Sequence, residues 1–237
     1  MKSKTELVEA LKNIKNEIGS VTDFDLNKTK SYIFDLSECN EELDKLNLDY
    51  TFLFSKYIFN KLKENSARYG IGKYNEDRII YKRSNLFDRN DNNGARTIHL
   101  GIDVWVDPGT KIFAPLDARV HSYHNNVGFG DYGPTIILEH QVKDINFYTL
   151  YGHLSLDSLD GIKENKVIKK GEEIARIGNE KVNGSWPAHL HFQIIRDMED
   201  KKGDFYGVTS HLEREKYLDL CPDPNLILKI DKLKATK

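Results

Sequence analysis

Apolar and polar residues alternate in several short runs between residues 96 and 195, and this alternation constrains the fold more than any other feature. Segments rich in turn-forming residues, such as DPG, GFGDYG, LDG and KKG, separate the runs. Because successive side chains of a strand point to opposite faces, each run predicts a strand. Many short strands at this spacing are typical of an antiparallel sandwich or barrel. The runs are TIHLGIDVWV, ARVHSYH, TIILEH, INFYTLYGHL, EEIARIG and AHLHFQII.

The sequence before these runs has a helical pattern. Apolar residues recur there at spacings of four, three and four, which places them on one face of a helix. The two sets are Leu7, Leu11, Ile14 and Ile18, and Leu46, Tyr50, Leu53 and Tyr57. We therefore predict an α+β fold. Residues 1–85 form a mostly helical N-terminal region, and residues 86–237 form a β domain built on an antiparallel sheet or sandwich.

The composition argues against several classes of protein. Lys and Arg number 35 against 37 Asp and Glu, so the net charge is −2 and no nucleic-acid-binding surface is expected. No segment approaches the roughly 20 apolar residues of a membrane-spanning helix. The first 20 residues lack the apolar core of a signal peptide, which predicts a cytoplasmic location. Cys39 and Cys221 define no disulfide framework.

Histidines mark one face of the predicted strands. In AHLHFQII, His189 and His191 are two residues apart and share a face. His99 and Asp103 are four apart, so both side chains can also face one way, and His153 ends a third run. Imidazole nitrogens and carboxylate oxygens are ligands that Zn²⁺ accepts, and catalytic sites commonly use three protein ligands. His99, Asp103 and one histidine of the 189/191 pair are thus candidate ligands.

These segments resemble the signatures of a known enzyme family. HLGID (99–103) and HLH (189–191) resemble the HxxxD and HxH motifs of the lysostaphin/LytM-type zinc metallopeptidase family. LYGHLS is similar to the third histidine motif of that family, and IKKGEEIARIGN is similar to its glycine-containing hairpin. The resemblance covers about residues 96–195 and implies a catalytic groove on an antiparallel sheet.

The resemblance also implies a function for each motif residue. His99, Asp103 and His191 are the expected ligands of a Zn²⁺ cofactor. His153 and His189 are the expected catalytic histidines, one as general base and the other as oxyanion stabiliser, in an order that the sequence leaves open. Arg96, just before the first motif, is a candidate substrate-binding residue. The implied activity is that of a zinc metalloendopeptidase acting on a peptide or peptidoglycan-like substrate.

A second resemblance extends over more of the chain. IGKYNEDRIIY, WPAHLHFQII and PDPNLIL look like the peptidase module of long proteins that also contain a kinase-like domain and a class III aminotransferase. It favours a cytosolic peptide or amide as the substrate. Trp186 and Pro187 replace the small-residue turn that is common in the family, and Gln193 stands where a Glu is common. Trp186 is expected either to pack in the protein or to contact substrate.

Other functions fit parts of this pattern. Two histidines and a carboxylate also form the facial triad of non-haem iron oxygenases. HLGIDVWV is similar to a motif of histidine phosphocarrier domains, and a zinc site can also serve as a non-catalytic scaffold.

The N-terminal region is expected either to complete the core as a helical cap or to shape the groove. Residues 88–96 could place side chains close to the metal.

Overall fold

The computed structural model of the chain describes residues 3–88 and 94–234. Its strands are β1 (Ser31–Ile33), β2 (Tyr69–Gly72), β3 (Arg96–His99), β4 (Ile102–Trp105), β5 (Lys111–Phe113), β6 (Ala118–Asn126), β7 (Gly133–Val142), β8 (Ile145–Gly152), β9 (Val167–Ile168), β10 (Glu173–Arg176), β11 (His189–Ile195) and β12 (Val208–Ser210). Its α-helices are α1 (Lys4–Asn13), α2 (Glu41–Asp44), α3 (Thr51–Glu64), α4 (Arg214–Leu220) and α5 (Asn225–Leu228). Short 3-10 helices span Ile79–Arg83, Asn85–Phe87, Leu156–Leu159 and Asp231–Leu233.

One eight-stranded sheet dominates the structure, with the strand order β1-β2-β4-β11-β8-β7-β6-β9. Its neighbouring strands are antiparallel except for the parallel pair β1 and β2. Two small antiparallel sheets pair β5 with β10 and β3 with β12. The predicted antiparallel sheet is thus confirmed, and each of the alternating runs contains at least one strand.

Alternation along β11 separates the core of the protein from the polar face of the sheet. Leu190, Phe192 and Ile194 belong to the main hydrophobic core, together with Val104 of β4. The residues between them, including His189 and His191, point to the opposite face. A strand in the middle of the sheet is held by hydrogen bonds on both sides. The histidines of β11 therefore lie on a rigid element.

The N-terminal region is less helical than predicted. Helices α1 and α3 confirm that the two predicted helices exist, but α3 begins at Thr51, after Leu46 and Tyr50. Helix α1 begins with a capping box in which Ser3 and Glu6 bond each other's backbone. Residues 14–30 are turns and irregular structure, however, and β1 and β2 are strands. Helix α1 also ends at Asn13, before the predicted Ile18, although Ile18 remains buried in the core.

Part of the N-terminal region packs against the face of the sheet that carries the histidines. Phe34, Phe54 and other residues of this region form a second hydrophobic cluster with Trp105 and Trp186. Trp105 is two residues from Asp103 on β4, so the two side chains share that face. Strand β2 also pairs with β4. Residues 1–85 therefore contribute to the sheet itself, and the division of the chain at residue 85 stays a prediction.

None of the helices in the described ranges 3–88 and 94–234 combines the length and the apolar character needed to cross a membrane.

Candidate metal centre

Three of the candidate site residues converge on one point of the sheet. His99 Nε2 lies 3.0 Å from His191 Nδ1, and Asp103 Oδ1 lies 3.2 Å from each of these nitrogens. All three residues are almost fully buried. Two imidazole nitrogens and one carboxylate oxygen at this spacing could hold a single metal ion. The set suits Zn²⁺, which takes nitrogen and oxygen ligands in tetrahedral sites.

Strand pairing explains why residues about 90 positions apart meet. In the register of β11 and β4, His191 lies directly opposite Asp103. His99 ends β3, and two residues separate it from Ile102, where β4 begins. The intervening Gly101 leaves room for the imidazole, since a Cβ there would lie 2.5 Å from His191 Cε1. That distance is shorter than any ordinary contact, so a larger residue would displace the ring.

Hydrogen bonds on the far side of each ring select the nitrogen that faces the metal position. His99 Nδ1 donates to the carbonyl of Lys73 at 3.0 Å, which leaves Nε2 unprotonated. His191 Nε2 donates to Gln193 Oε1 at 2.9 Å, which leaves Nδ1 unprotonated. The amide of Gln193 is oriented in turn, because its Nε2 donates to the carbonyl of Tyr206. Such outer partners fix the tautomer and the direction of metal-binding histidines.

The remaining oxygen of Asp103 contacts a buried arginine. Asp103 Oδ2 accepts a hydrogen bond of 2.5 Å from Arg78 Nη1, and Arg78 Nε donates to Glu76 Oε2 at 3.0 Å. Burial by itself would raise the pKa of Asp103, but His99 and the Arg78 guanidinium together hold that pKa well below its usual range. Burial lowers the pKa of His99 to about 3. At neutral pH the site therefore offers one carboxylate and neutral imidazole, which are the forms that bind metal.

His153 and His189 lie beside this group and face each other. Their ring centroids are 4.1 Å apart, and His189 Nε2 is 3.8 Å from Asp103 Oδ1. His153 Nδ1 donates to the carbonyl of Asn183 at 2.9 Å, and His189 Nδ1 donates to the carbonyl of Pro187 at 2.7 Å. Carbonyl oxygens only accept hydrogen bonds, so Nε2 of each ring is the free basic nitrogen.

Burial keeps both of these histidines neutral. It lowers the pKa of His189 to about 4. Burial, reinforced by the neighbouring His189, lowers the pKa of His153 well below its usual value. Both rings are therefore unprotonated near pH 7, which is the form that a general base requires.

The segment that contains this site matches a known family. Residues 97–203 match the family model described as "Peptidase family M23", and the segment includes all five of these residues. Residues 97–203 form an M23 peptidase domain. The match of this segment to a peptidase family favours peptide hydrolysis over the oxygenase and phosphocarrier alternatives. Together with the donor set described above, it identifies the cofactor as Zn²⁺.

The M23 domain is similar to one curated protein and to several solved structures. An "Uncharacterized metalloprotease" of Haemophilus influenzae is 36% identical over 136 residues, which are 55% of this chain and 27% of that protein. This chain thus matches only about a quarter of the length of its relative.

The solved structures are more distant. A zinc-containing peptidase of Vibrio cholerae has 24% identity and a TM-score of 0.34, covering 46% of this chain and 30% of its own. The catalytic domain of lysostaphin from Staphylococcus simulans has 20% identity and a TM-score of 0.34, covering 51% and 80%. TM-scores this low do not establish a shared overall fold.

A cavity of about 240 Å³ opens over the histidines of the M23 domain. Its floor includes Asp103, His153, His189 and His191. Aromatic side chains form much of its wall: Tyr81, Phe87, Trp105, Tyr132, Trp186, Phe205 and Tyr206. Mostly apolar walls around a few polar groups are typical of a binding site for a small ligand or a short peptide segment.

Arg96, the candidate substrate-binding residue, also lines this cavity. One of its guanidinium nitrogens donates to the carbonyl of Leu86, and the group lies 5.6 Å from the centre of the Phe87 ring. The arginine thus packs on the cavity wall, and its contact with substrate stays a prediction. Residues 89–93, which include most of the segment expected to come close to the metal, lie outside the described residues.

Sequence reasoning missed three residues of the site. Arg78 and Tyr81 precede the segment that the M23 family model matches, and Tyr132 lies in the turn before β7. Arg78 Nη1 also bonds the Tyr81 hydroxyl at 3.3 Å, while the Tyr132 hydroxyl lies 3.4 Å from His191 Nε2. No local pattern distinguishes these residues, because only the tertiary fold brings them to the site.

Proposed function

We propose that this protein is a zinc-dependent endopeptidase that cleaves a peptide or amide bond with an activated water. One observation carries the proposal. His99 Nε2, Asp103 Oδ1 and His191 Nδ1 converge within 3.2 Å. Asp103 and His191 lie on the floor of a cavity, beside two neutral histidines with free basic nitrogens. A structural zinc site is usually closed by four protein ligands, whereas three ligands beside a cavity leave a position for catalysis.

The chemistry divides between the ligands and the two neighbouring histidines. His99, Asp103 and His191 would hold the Zn²⁺. When bound, the ion lowers the pKa of water and polarises a carbonyl group. His153 or His189 accepts the proton of the attacking water at Nε2 and returns it to the leaving amine. The other histidine stabilises the negative charge that develops on the carbonyl oxygen, for which it takes up a second proton, from solvent, at Nε2; the developing negative charge favours that protonation.

The substrate that we propose is a peptide or a peptidoglycan-like molecule. The match of residues 97–203 to the M23 peptidase family supports this class, and the small aromatic cavity favours residues with short side chains on either side of the scissile bond. The aromatic wall also gives an amide backbone flat surfaces to pack against. Within this class, we favour a cytosolic peptide or amide, because the chain resembles peptidase modules that are fused to a kinase-like domain and a class III aminotransferase.

A panel of peptides and muropeptides, incubated with the zinc-loaded protein, tests the proposal. We expect His191→Ala to lose both bound zinc and hydrolysis. His189→Ala and His153→Ala should keep zinc while the turnover falls by about 10²–10⁴-fold, since each removes a proton carrier. His124→Ala is the matched control, because His124 is exposed and lies outside the cavity lining. A protein that binds zinc tightly but cleaves no member of the panel would instead support the scaffold alternative.

A further inference from the structure

A single loop orients both of the proposed catalytic histidines. Residues 183–187 connect through the carbonyl of Asn183 to His153 Nδ1 and through the carbonyl of Pro187 to His189 Nδ1. The Asn183 side chain closes the loop, because it accepts from the Trp186 amide at 3.1 Å and donates to the Trp186 carbonyl at 3.0 Å. A shift of this loop would therefore move the acceptors of both rings together.

The N-terminal region holds this loop at its tip. Thr51 Oγ1, at the start of α3, donates to the carbonyl of Ser185 at 2.9 Å. Arg83 Nη2 donates both to Thr51 Oγ1 at 3.0 Å and to the same Ser185 carbonyl at 3.2 Å. Ser185 has a left-handed backbone with φ of 64°, a conformation that a residue other than glycine adopts at some cost. The two outside hydrogen bonds therefore hold a conformation that the loop would not strongly favour alone.

Trp186 links Arg83 to the two histidines through ring contacts. The Arg83 guanidinium lies 4.9 Å from the centre of the Trp186 ring, within the range of a cation–π interaction. The indole is also roughly perpendicular to the two rings of the site, with centroid distances of 6.4 Å to His153 and 6.5 Å to His189. The side chain is only 3% exposed. Trp186 therefore packs between the N-terminal region and the proposed catalytic histidines.

The burial of Arg83 argues that its polar contacts matter. The residue is 7% exposed, and its Nε and Nη1 atoms have no hydrogen-bond partner in the described structure. An apolar side chain of similar size would usually fill such a position at a lower free-energy cost. What an apolar residue could not supply is the charge-assisted bond to the Ser185 carbonyl and the attraction to the indole face. These contacts indicate that Arg83 holds the loop 183–187 in place.

We propose that Arg83 and Thr51 are positioning residues, which fix the loop 183–187 and thereby the orientation and tautomer of His153 and His189. The inference rests on the proposed function only where it concerns turnover. It assigns the N-terminal region a part in the active site: the region completes the support of the proton carriers in addition to covering the core.

Selective ¹⁵N labelling of the histidines tests the proposal directly. Two-bond ¹H–¹⁵N spectra of the zinc-loaded protein report which ring nitrogen carries the proton. We expect the Nδ1–H tautomer for His153 and His189 in the wild type and a mixture of tautomers in Arg83→Met. Thr51→Val keeps the side-chain shape and removes only the hydroxyl, so it should give the same change in a variant that still folds. Zinc content should remain that of the wild type in both variants.

Kinetics add a second measurement. If the histidines are misplaced while zinc stays bound, kcat should fall by about 10- to 100-fold and KM should change little. Arg83→Lys, which keeps the charge and a donor, should recover part of the loss. Arg68→Met is the matched control, because the Arg68 guanidinium also lies over a ring, 4.6 Å from the centre of Phe24, away from the cavity lining.

The two proposals fail in different ways. Wild-type tautomers and turnover in both Arg83→Met and Thr51→Val would overturn the positioning role. An Nε2–H tautomer of His153 or His189 in the wild type would overturn it as well. If the wild type cleaves no substrate, the proposed function fails, and the tautomer spectra alone then decide whether Arg83 and Thr51 hold the loop.

Discussion

At the scale of single residues, Asp103 is bonded from two sides with different consequences. Its Oδ1 atom points to the histidines, while its Oδ2 atom accepts a hydrogen bond from Arg78. Arg78 also donates a hydrogen bond to Glu76. The arginine thus fixes the carboxylate with one oxygen toward the metal position. It also prevents the carboxylate from binding the metal through both oxygens. A ligand that is already in place binds metal without a further loss of side-chain freedom.

Loss of Arg78 should therefore weaken zinc binding without removing a ligand. We expect Arg78→Met to reduce zinc affinity by about 10- to 100-fold, measured by competition with a chromophoric chelator. Cobalt substitution should show the cause, because the visible spectrum of bound Co²⁺ responds to a change in carboxylate geometry. Arg176→Met, which removes an exposed ion pair with Glu173, is the control. An unchanged affinity and spectrum in Arg78→Met would show that Asp103 needs no such support.

At the scale of strands, the site depends on how closely β3, β4 and β11 approach one another. Gly101 lies where β3 turns into β4, and the β11 backbone passes over it: a Cβ would also lie 2.9 Å from the Phe192 carbonyl oxygen. Neither neighbour can move easily, since Phe192 is in the core and His191 is hydrogen-bonded on its far side. The glycine is thus required by the close approach of two strands.

Gly101→Ala should separate these strands. We expect the free energy of unfolding to fall by about 1–3 kcal/mol, as for other overpacked sites, and zinc affinity to fall as His191 is displaced. Denaturant unfolding and chelator competition measure the two effects. Gly128→Ala is the matched control, because the nearest side-chain atom to a Cβ there is Asp131 Cβ at 3.5 Å, an ordinary contact. Equal effects of the two substitutions would contradict this account of Gly101.

At the scale of the whole molecule, local patterns and tertiary contacts were predictable to different degrees. The strands that carry the site follow from alternation within a few residues, and His99, Asp103 and His191 follow from even spacing and motif resemblance. Arg78 and Arg83 gave no such signal, because their partners Asp103 and Ser185 are 25 and 102 positions away. The early end of α1 at Asn13 was also missed, since burial of Ile18 does not require it to be helical.

Buried neutral histidines link the stability of the whole metal-free protein to pH. Burial lowers the pKa of His99 to about 3 and of His140 and His189 to about 4. The unfolded chain binds their protons below about pH 6.5, whereas the folded chain does not, so stability is lost as pH falls from about 6.5 to 4. The raised pKa values of Asp131 and Asp204 act in the opposite direction, but only toward the acid end of this range.

We expect the free energy of unfolding of the metal-free protein to fall by about 1.4 kcal/mol per pH unit for each such histidine. Urea titrations followed by tryptophan fluorescence, after removal of metal with a chelator, measure this slope. Zinc should flatten the curve above the pH at which it dissociates, because binding favours the folded state. A metal-free protein equally stable at pH 7 and pH 5 would contradict the assignment of these histidines as neutral.

The N-terminal region also covers parts of the sheet that the rest of the molecule would otherwise expose. Strand β2 pairs with β4 through Gly72 and Asp103, and Phe34 and Phe54 cover Trp105. A chain limited to residues 86–237 would expose the edge of β4 and this tryptophan, a combination that promotes aggregation. It would also lack Arg78 and Arg83.

We therefore expect such a fragment to aggregate on size-exclusion chromatography and to bind zinc weakly. Adding residues 1–85 as a separate chain should partly restore the monomeric elution and the zinc affinity. A monomeric fragment with the zinc affinity of the full chain would show that the M23 segment needs neither the two added strands nor the arginines they bring.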